Sequence, residues 1–234
     1  MAQREFRIQI YQYGKNRVDG LHAAVEQSGT VADDQQRNLR YDFSGRDDVQ
    51  HAEIVLPSRF EGDAHLDWAR NRGDLWKVME PQDFKERGKG MNFARKYYVV
   101  LPSELDDTEH RGLARVFAQA LADRNRTAVD FAIHGPHEGH DNPYVAHLLT
   151  PVREITPEGP GAVIAPTRGE HRELRLIWES YREEALLTAH IKEVLREMPD
   201  TRKTWEEYKR QNRIEVRSRE EPAKVTGLDD DHAF

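Results

Sequence analysis

The sequence predicts an α/β fold with a mainly antiparallel central sheet, flanking helices and a C-terminal helical segment. Three observations carry this. Residues 6–13, 39–43, 52–57, 97–101, 129–133 and 144–149 are short alternating or apolar runs of the kind strands show. Helical periodicity separates several of them. The coarse order is strand, helix, strands, helix, strand, helix, two strands, helices, which suits helices layered on a sheet built largely from antiparallel neighbours.

Each element has a local reason. Residues 6–13 alternate apolar and polar, as a half-buried strand does, and Gly14-Lys15-Asn16 breaks the pattern. Residues 18–27 predict a helix with Leu21, Ala24 and Val25 on one face and Gly29 as its C-cap. A polar stretch then runs to Arg37, residues 39–43 alternate, Ser44-Gly45 turns, and residues 52–57 form the next strand. Trp68, Leu75, Trp76 and Met79 recur at helical spacing and read as core-facing. Residues 84–96 are locally basic and contain two glycines; the strand 97–101 follows, closed by Pro102. Thr108 caps a helix whose apolar stripe is Leu113, Val116, Phe117, Ala120 and Leu121. After Gly159-Pro160-Gly161 the pattern changes. Leu174, Ile177, Trp178, Tyr181, Ala185, Ile191, Val194, Leu195 and Met198 describe one long amphipathic helix, stopped by Pro199. Residues 204–213 predict a short basic helix, and the acidic end reads as a disordered tail.

Composition narrows the class. A chain of 234 residues suffices for one domain or two small ones. No cysteine is present, which excludes disulfides and thiolate metal sites. The first residues lack the apolar core of a signal peptide, and no run approaches the roughly 20 apolar residues of a membrane span, so a cytoplasmic protein is expected. The net charge of −7 argues against nucleic acid as a partner, although the distribution of charge matters more than its sum.

Four of the eleven histidines, His134, His137, His140 and His147, fall between residues 132 and 150. Apolar runs flank them and Gly, Pro, Asp and Asn lie between, so the segment reads as two strands joined by a polar loop. His134 ends the first strand and His147 sits inside the second. Imidazoles on adjacent strands can converge on one cation. Polar residues decorating a hairpin would give the same sequence.

Several phrases, in order, resemble those of the MobA/MobL (MobQ-type) plasmid mobilisation relaxase family. His51-Ala52-Glu53-Ile54-Val55-Leu56-Pro57 is similar to its "HSEILLP", and Asp74-Leu75-Trp76-Lys77-Val78-Met79-Glu80 to its "LW…VE" helix. Residues 94–105 resemble its "ARE-F-E-I-A-L-P-x-E-L", and residues 116–121 its "FAQ-L" helix. Residues 129–137 and 146–150 resemble "VD-x-A-I-H-x-P-H … H-A-H-L-L-T-T". The resemblance implies a relaxase-like domain over residues 1–166, C-terminal helices over 167–213 that cover a DNA groove, and a tail over 214–234. It implies nicking of one strand at a transfer origin by metal-assisted transesterification, with the protein left on the 5′ phosphate. The cofactor is then a divalent cation, manganese or magnesium. The partners are single-stranded and supercoiled DNA at the origin, relaxosome accessory proteins and a coupling protein, with no membrane insertion. Lys85, Arg87, Lys89, Arg95 and Lys96, followed by Tyr97 and Tyr98, would form the wall of the DNA groove; a solvated loop is the alternative.

The departures fall on the chemistry. The family's metal motif is a His-x-His pair plus the histidine of "A-I-H". His134 and His147 match two of these positions, while Val145 stands at the third. His140 is the replacement ligand expected, with Tyr144 and Glu138 behind it. The nucleophilic tyrosine aligns with Val25, so His22, one helical turn earlier, is the candidate nucleophile, with Tyr11 and Tyr13 as rivals. An acidic position of the family aligns with Tyr98. A relaxase scaffold that binds origin DNA or relaxosome partners without nicking is therefore the alternative. A phosphodiesterase using metal-activated water is a third reading.

Overall fold

Alternation along the strands sorts side chains onto two faces and thereby places the site. In the computed structural model, which describes residues 6–12, 19–35, 37–80, 92–136, 143–197, 207 and 210, the chain divides into two compact units between His190 and Ile191. The first unit is built on five strands: β1 (Phe6–Gln12), β4 (Val49–Val55), β5 (Asn92–Val100), β6 (Val129–His134) and β7 (Val145–Pro151). Their order is β1-β5-β7-β6-β4, and every pairing is antiparallel. The predicted fold class is the one observed.

One face is covered by α4 (Asp107–Asn125) and α5 (Glu170–Glu197). Phe6, Tyr97, Val99, Phe131, Ile133 and Leu148 meet Phe117, Leu121, Leu174 and Trp178 there. The predicted stripe on α5 packs there through Leu174, Ile177, Trp178, Tyr181 and Ala185, while Leu187, off that stripe, is 60% exposed. In the second unit, Ile191, Val194 and Leu195 are exposed. Up to His190, α5 thus packs on the face shared with α4; the rest of the C-terminal segment expected to cover a DNA groove lies in the second unit or outside the described residues.

The other face carries α1 (Gly20–Ser28) and α3 (Arg72–Met79), with Leu21, Val25, Leu75, Trp76 and Met79 packed on Ala94 and Leu149. Asp19 caps α1, accepting from the His22 amide at 2.7 Å, and Gly29 ends the helix at φ 61° as the sequence predicts. Glu80, at the end of α3, accepts the amides of Gly20 and Leu21, so a distant carboxylate also holds the first turn. Beside it, Arg37 ties Asp19, Asp34 and Glu80 together. These ties fix the hairpin of β2 (Val31–Asp34) and β3 (Leu39–Asp42) against α1.

Some local readings change. The stretch read as polar loop up to Arg37 contains β2, because pairing with β3 overrides its weak propensity. The helix expected over residues 68–79 breaks at Asn71 into α2 (Asp67–Arg70) and α3, where the Asn71 side chain caps α3. Helix α4 is capped by Asp106, not Thr108; Asp106 and Glu109 form a capping box. The glycine-rich break after β7 is a second hairpin, β8 (Arg153–Thr156) with β9 (Gly159–Val163). No described helix is long and apolar enough to cross a membrane. The helix expected at residues 204–213 and the tail lie outside the described residues, apart from positions 207 and 210.

Candidate functional site

The α1 face of the sheet collects polar groups that the opposite face excludes. Register brings them side by side: His147 of β7 pairs with Ala132 of β6 and Tyr98 of β5, and Tyr98 pairs with Arg7 of β1. Two residues along, Lys96 pairs with Gln9 and Leu149. His134 closes β6 opposite Val145. Asp130, fully buried, underlies the group. It accepts from Arg72 Nε and Nη2, both at 2.9 Å, and from Trp76 Nε1 at 3.1 Å, so its charge is matched.

His134 and His147 are brought together as the sequence suggests, with ring centroids 4.2 Å apart and an interplanar angle of 29°. His134 Nε2 donates to the Gln27 carbonyl at 2.7 Å, at the end of α1. Its Nδ1 lies 3.4 Å from Arg46 Nη2 and 3.1 Å from Asp48 Oδ2. Arg46 and Asp48 form a two-pronged pair at 2.8 and 2.6 Å. Burial holds the His134 pKa below the ordinary histidine value, against the Gln27 bond and the Asp48 charge. A neutral ring then donates at one nitrogen and accepts from Arg46 at the other. His147 presents its ring edge to Tyr98 at 4.8 Å, and its buried Nδ1 has no hydrogen-bond partner among the described residues. Burial, then the charge of Lys96, pushes its pKa down to about 2, so it stays neutral.

Lys96 is 7% exposed. Its ammonium lies 5.3 Å from the centre of the Tyr98 ring, and the Arg7 guanidinium lies 4.0 Å over the same ring. Tyr98 Oη donates to Gln9 Oε1 at 3.0 Å. Burial pushes the Lys96 pKa down to about 8. Tyr11, on the same face of β1, has its pKa raised, first by burial and then by Tyr98.

The divalent cation implied by the family resemblance does not fit these side chains. The two rings stack; both His134 nitrogens have other partners; and the third ligand position is the aliphatic Val145. Lys96 adds positive charge to the same place, while Arg46 is paired with Asp48. No group of three metal-ligating side chains occurs among the described residues, and His140 lies outside them.

The remaining expectations divide. Lys85, Arg87, Lys89, His137 and Tyr13 lie outside the described residues. Arg95 lies on β5 but faces away from the histidines, bonded to Glu170 Oε1 at 3.1 Å and the Ile164 carbonyl at 2.7 Å, so it cannot line a groove with Lys96. His22 packs edge-on against Tyr41 and Phe43 at 5.0 and 5.4 Å, with Glu26 4.0 Å from its Nδ1. Its neighbours belong to the β2–β3 side, and neither sheet histidine is among them. Arg46 and Arg7 were not anticipated. The run Arg46-Asp47-Asp48, just before a strand that pairs with the histidine strand, was the available signal for Arg46.

The MobA/MobL family model matches residues 20–225. A mobilization protein MobL of Acidithiobacillus ferridurans is 30% identical over 159 residues, which cover 58% of this chain and 39% of that protein. The chain thus spans well under half of that relative's length. A chain from a solved structure described as "Molecular Basis of Vancomycin Resistance Transfer in Staphylococcus aureus" is 25% identical, with a TM-score of 0.64, over 79% of this chain and 94% of that one. Because the family model runs from α1 through the sheet strands after β1 to α5, this chain belongs to the MobA/MobL family.

Proposed function

We propose that this chain acts in plasmid mobilisation as a relaxase-type protein, holding single-stranded DNA of a transfer origin against the α1 face of its sheet. The observation that supports this best is the gathering of Arg7, Arg46 and Lys96 around His134, His147 and Tyr98. Cations interleaved with aromatic rings suit a strand whose phosphates and bases need both. The acidic net charge does not oppose this, because these cations face one site. The Acidithiobacillus relative is named for mobilization, and the staphylococcal structure for resistance transfer.

Nicking is the second reading, favoured by the two tyrosines, Tyr11 and Tyr98, on the same face. In that reaction a side-chain oxygen attacks phosphorus, a phosphotyrosyl bond forms, and the 3′ oxygen leaves as a hydroxyl once protonated. His22 stays in the test as the nucleophile the sequence suggested. Binding without nicking is the reading we prefer, because the sequence resemblance puts Val25 at the family's nucleophile position, and Val25 is buried. Supercoiled DNA carrying the presumed transfer region, incubated with and without manganese and stopped with detergent, decides between them. Retained binding with no protein–DNA adduct is expected. An adduct abolished by Tyr98→Phe, Tyr11→Phe or His22→Ala establishes nicking and names the nucleophile. Manganese dependence of that adduct would point to His140 as a ligand.

A further inference from the structure

We infer that the α1 face contains a phosphate seat formed by Lys96 with Arg46 and Arg7, which takes a phosphodiester without any metal ion. This rests on the DNA reading above and goes beyond it by replacing the cation with side chains.

A lysine as buried as Lys96 is ordinarily matched by a carboxylate. Among the described residues its ammonium has no hydrogen bond and no ion pair; it has only the face of Tyr98, 5.3 Å away. The acids close enough to be felt are Glu26 and Asp130. Glu26 is 47% exposed on α1, and Asp130 is fully engaged by Arg72 and Trp76. Beside the lysine stands His147, whose Nδ1 is buried and unpartnered and can donate or accept at a ligand oxygen. Arg46 lies on the far side, at the His134 ring, and Arg7 lies over Tyr98. Asp48 matches Arg46, but Lys96 and Arg7 have no paired carboxylate among the described residues, and the imidazole nitrogen beside Lys96 is orphaned. An oxyanion of phosphate geometry would supply the missing acceptors to Lys96 and neutralise the cluster. Lys96 and Arg7 would repel a divalent metal at the same place.

The test is fluorescence anisotropy with a short labelled oligodeoxynucleotide of mixed sequence, in chelator and in manganese, alongside thermal unfolding with inorganic phosphate. Wild type is expected to bind DNA equally in both buffers. Lys96→Met should bind about tenfold more weakly, with the logarithmic salt slope reduced by about one, while Lys96→Arg retains most affinity. Lys96→Met removes an unmatched buried charge, so it is expected to unfold no earlier than wild type. DNA binding that requires manganese, or that is unchanged in Lys96→Met, overturns the seat and leaves the DNA reading standing. Stabilisation of wild type but not Lys96→Met by inorganic phosphate, without DNA binding, keeps the seat and overturns the DNA reading. Response to neither ligand overturns both.

Discussion

On the α4–α5 face, β5, β6 and β7 present Tyr97, Val99, Phe131, Ile133 and Leu148 to two helices. On the α1 face the same three strands present Lys96, Tyr98, Asp130, His134 and His147. The backbone is shared, so the difference is one of side-chain parity alone. The first face lowers the free energy by removing apolar area from water. The second holds buried polar groups that stabilise nothing unless each finds a partner. Asp130 and His134 have found theirs. Among the described residues His147 Nδ1 has none and Lys96 has no carboxylate, and such a place is where a ligand is to be sought.

The comparison can be broken in graded steps. Asp130→Ala leaves the Arg72 guanidinium and the Trp76 N–H buried without their acceptor, and a loss of ~3–5 kcal/mol is expected. Urea denaturation measures it; a loss under about 1 kcal/mol would show that water replaces the carboxylate. Leu148→Ala, on the apolar face, should cost ~2–5 kcal/mol while leaving DNA affinity intact, since it empties core volume only. If affinity fell with it, the two faces would be coupled. Gly20→Ala drives a methyl group into the Trp76 ring beside Glu80, and ~1–3 kcal/mol of overpacking is expected from the same denaturation curves.

The smallest effect is on pH dependence. Burial, then Asp19, raises the Glu80 pKa above its ordinary 4.5. The folded chain therefore binds that proton more tightly than the unfolded chain. The stability Glu80 contributes is full below pH 4.5 and is lost as pH rises through its raised value. Between pH 4.5 and neutrality the stability difference should move in favour of Glu80→Gln. A difference flat across that window would mean that Arg37 fully offsets the burial.

Sequence reading found what periodicity encodes. The hairpin of β6 and β7, the meeting of His134 with His147, and the cap at Gly29 all follow from local patterns. It placed Arg95 and Lys96 together because they are adjacent, yet adjacency in a strand means opposite faces. It missed β2 because a four-residue strand is made by its partner and leaves almost no local signal. It missed Arg46 and Arg7 because both enter the site through sheet order, which sets β1 beside β5 and β4 beside β6. Asp130 was readable in principle: an acid inside Val129-Asp130-Phe131-Ala132-Ile133 requires a matching cation somewhere.

Helix α1 has nine residues, too few to persist alone, since isolated helices shorter than roughly 12–15 residues are marginal in water. Two of its first amides are held by Glu80, about 60 positions away, and its Gln27 carbonyl by His134, 107 positions away. Neither anchor exists until the chain has closed those long loops and the sheet stands. The helix is therefore a late arrival in assembly, and its amides are expected to exchange as one unit ahead of those in β5, β6 and β7. A chain caught partway through folding would carry a finished sheet and an open, wall-less cleft, so recognition belongs to the last step of folding.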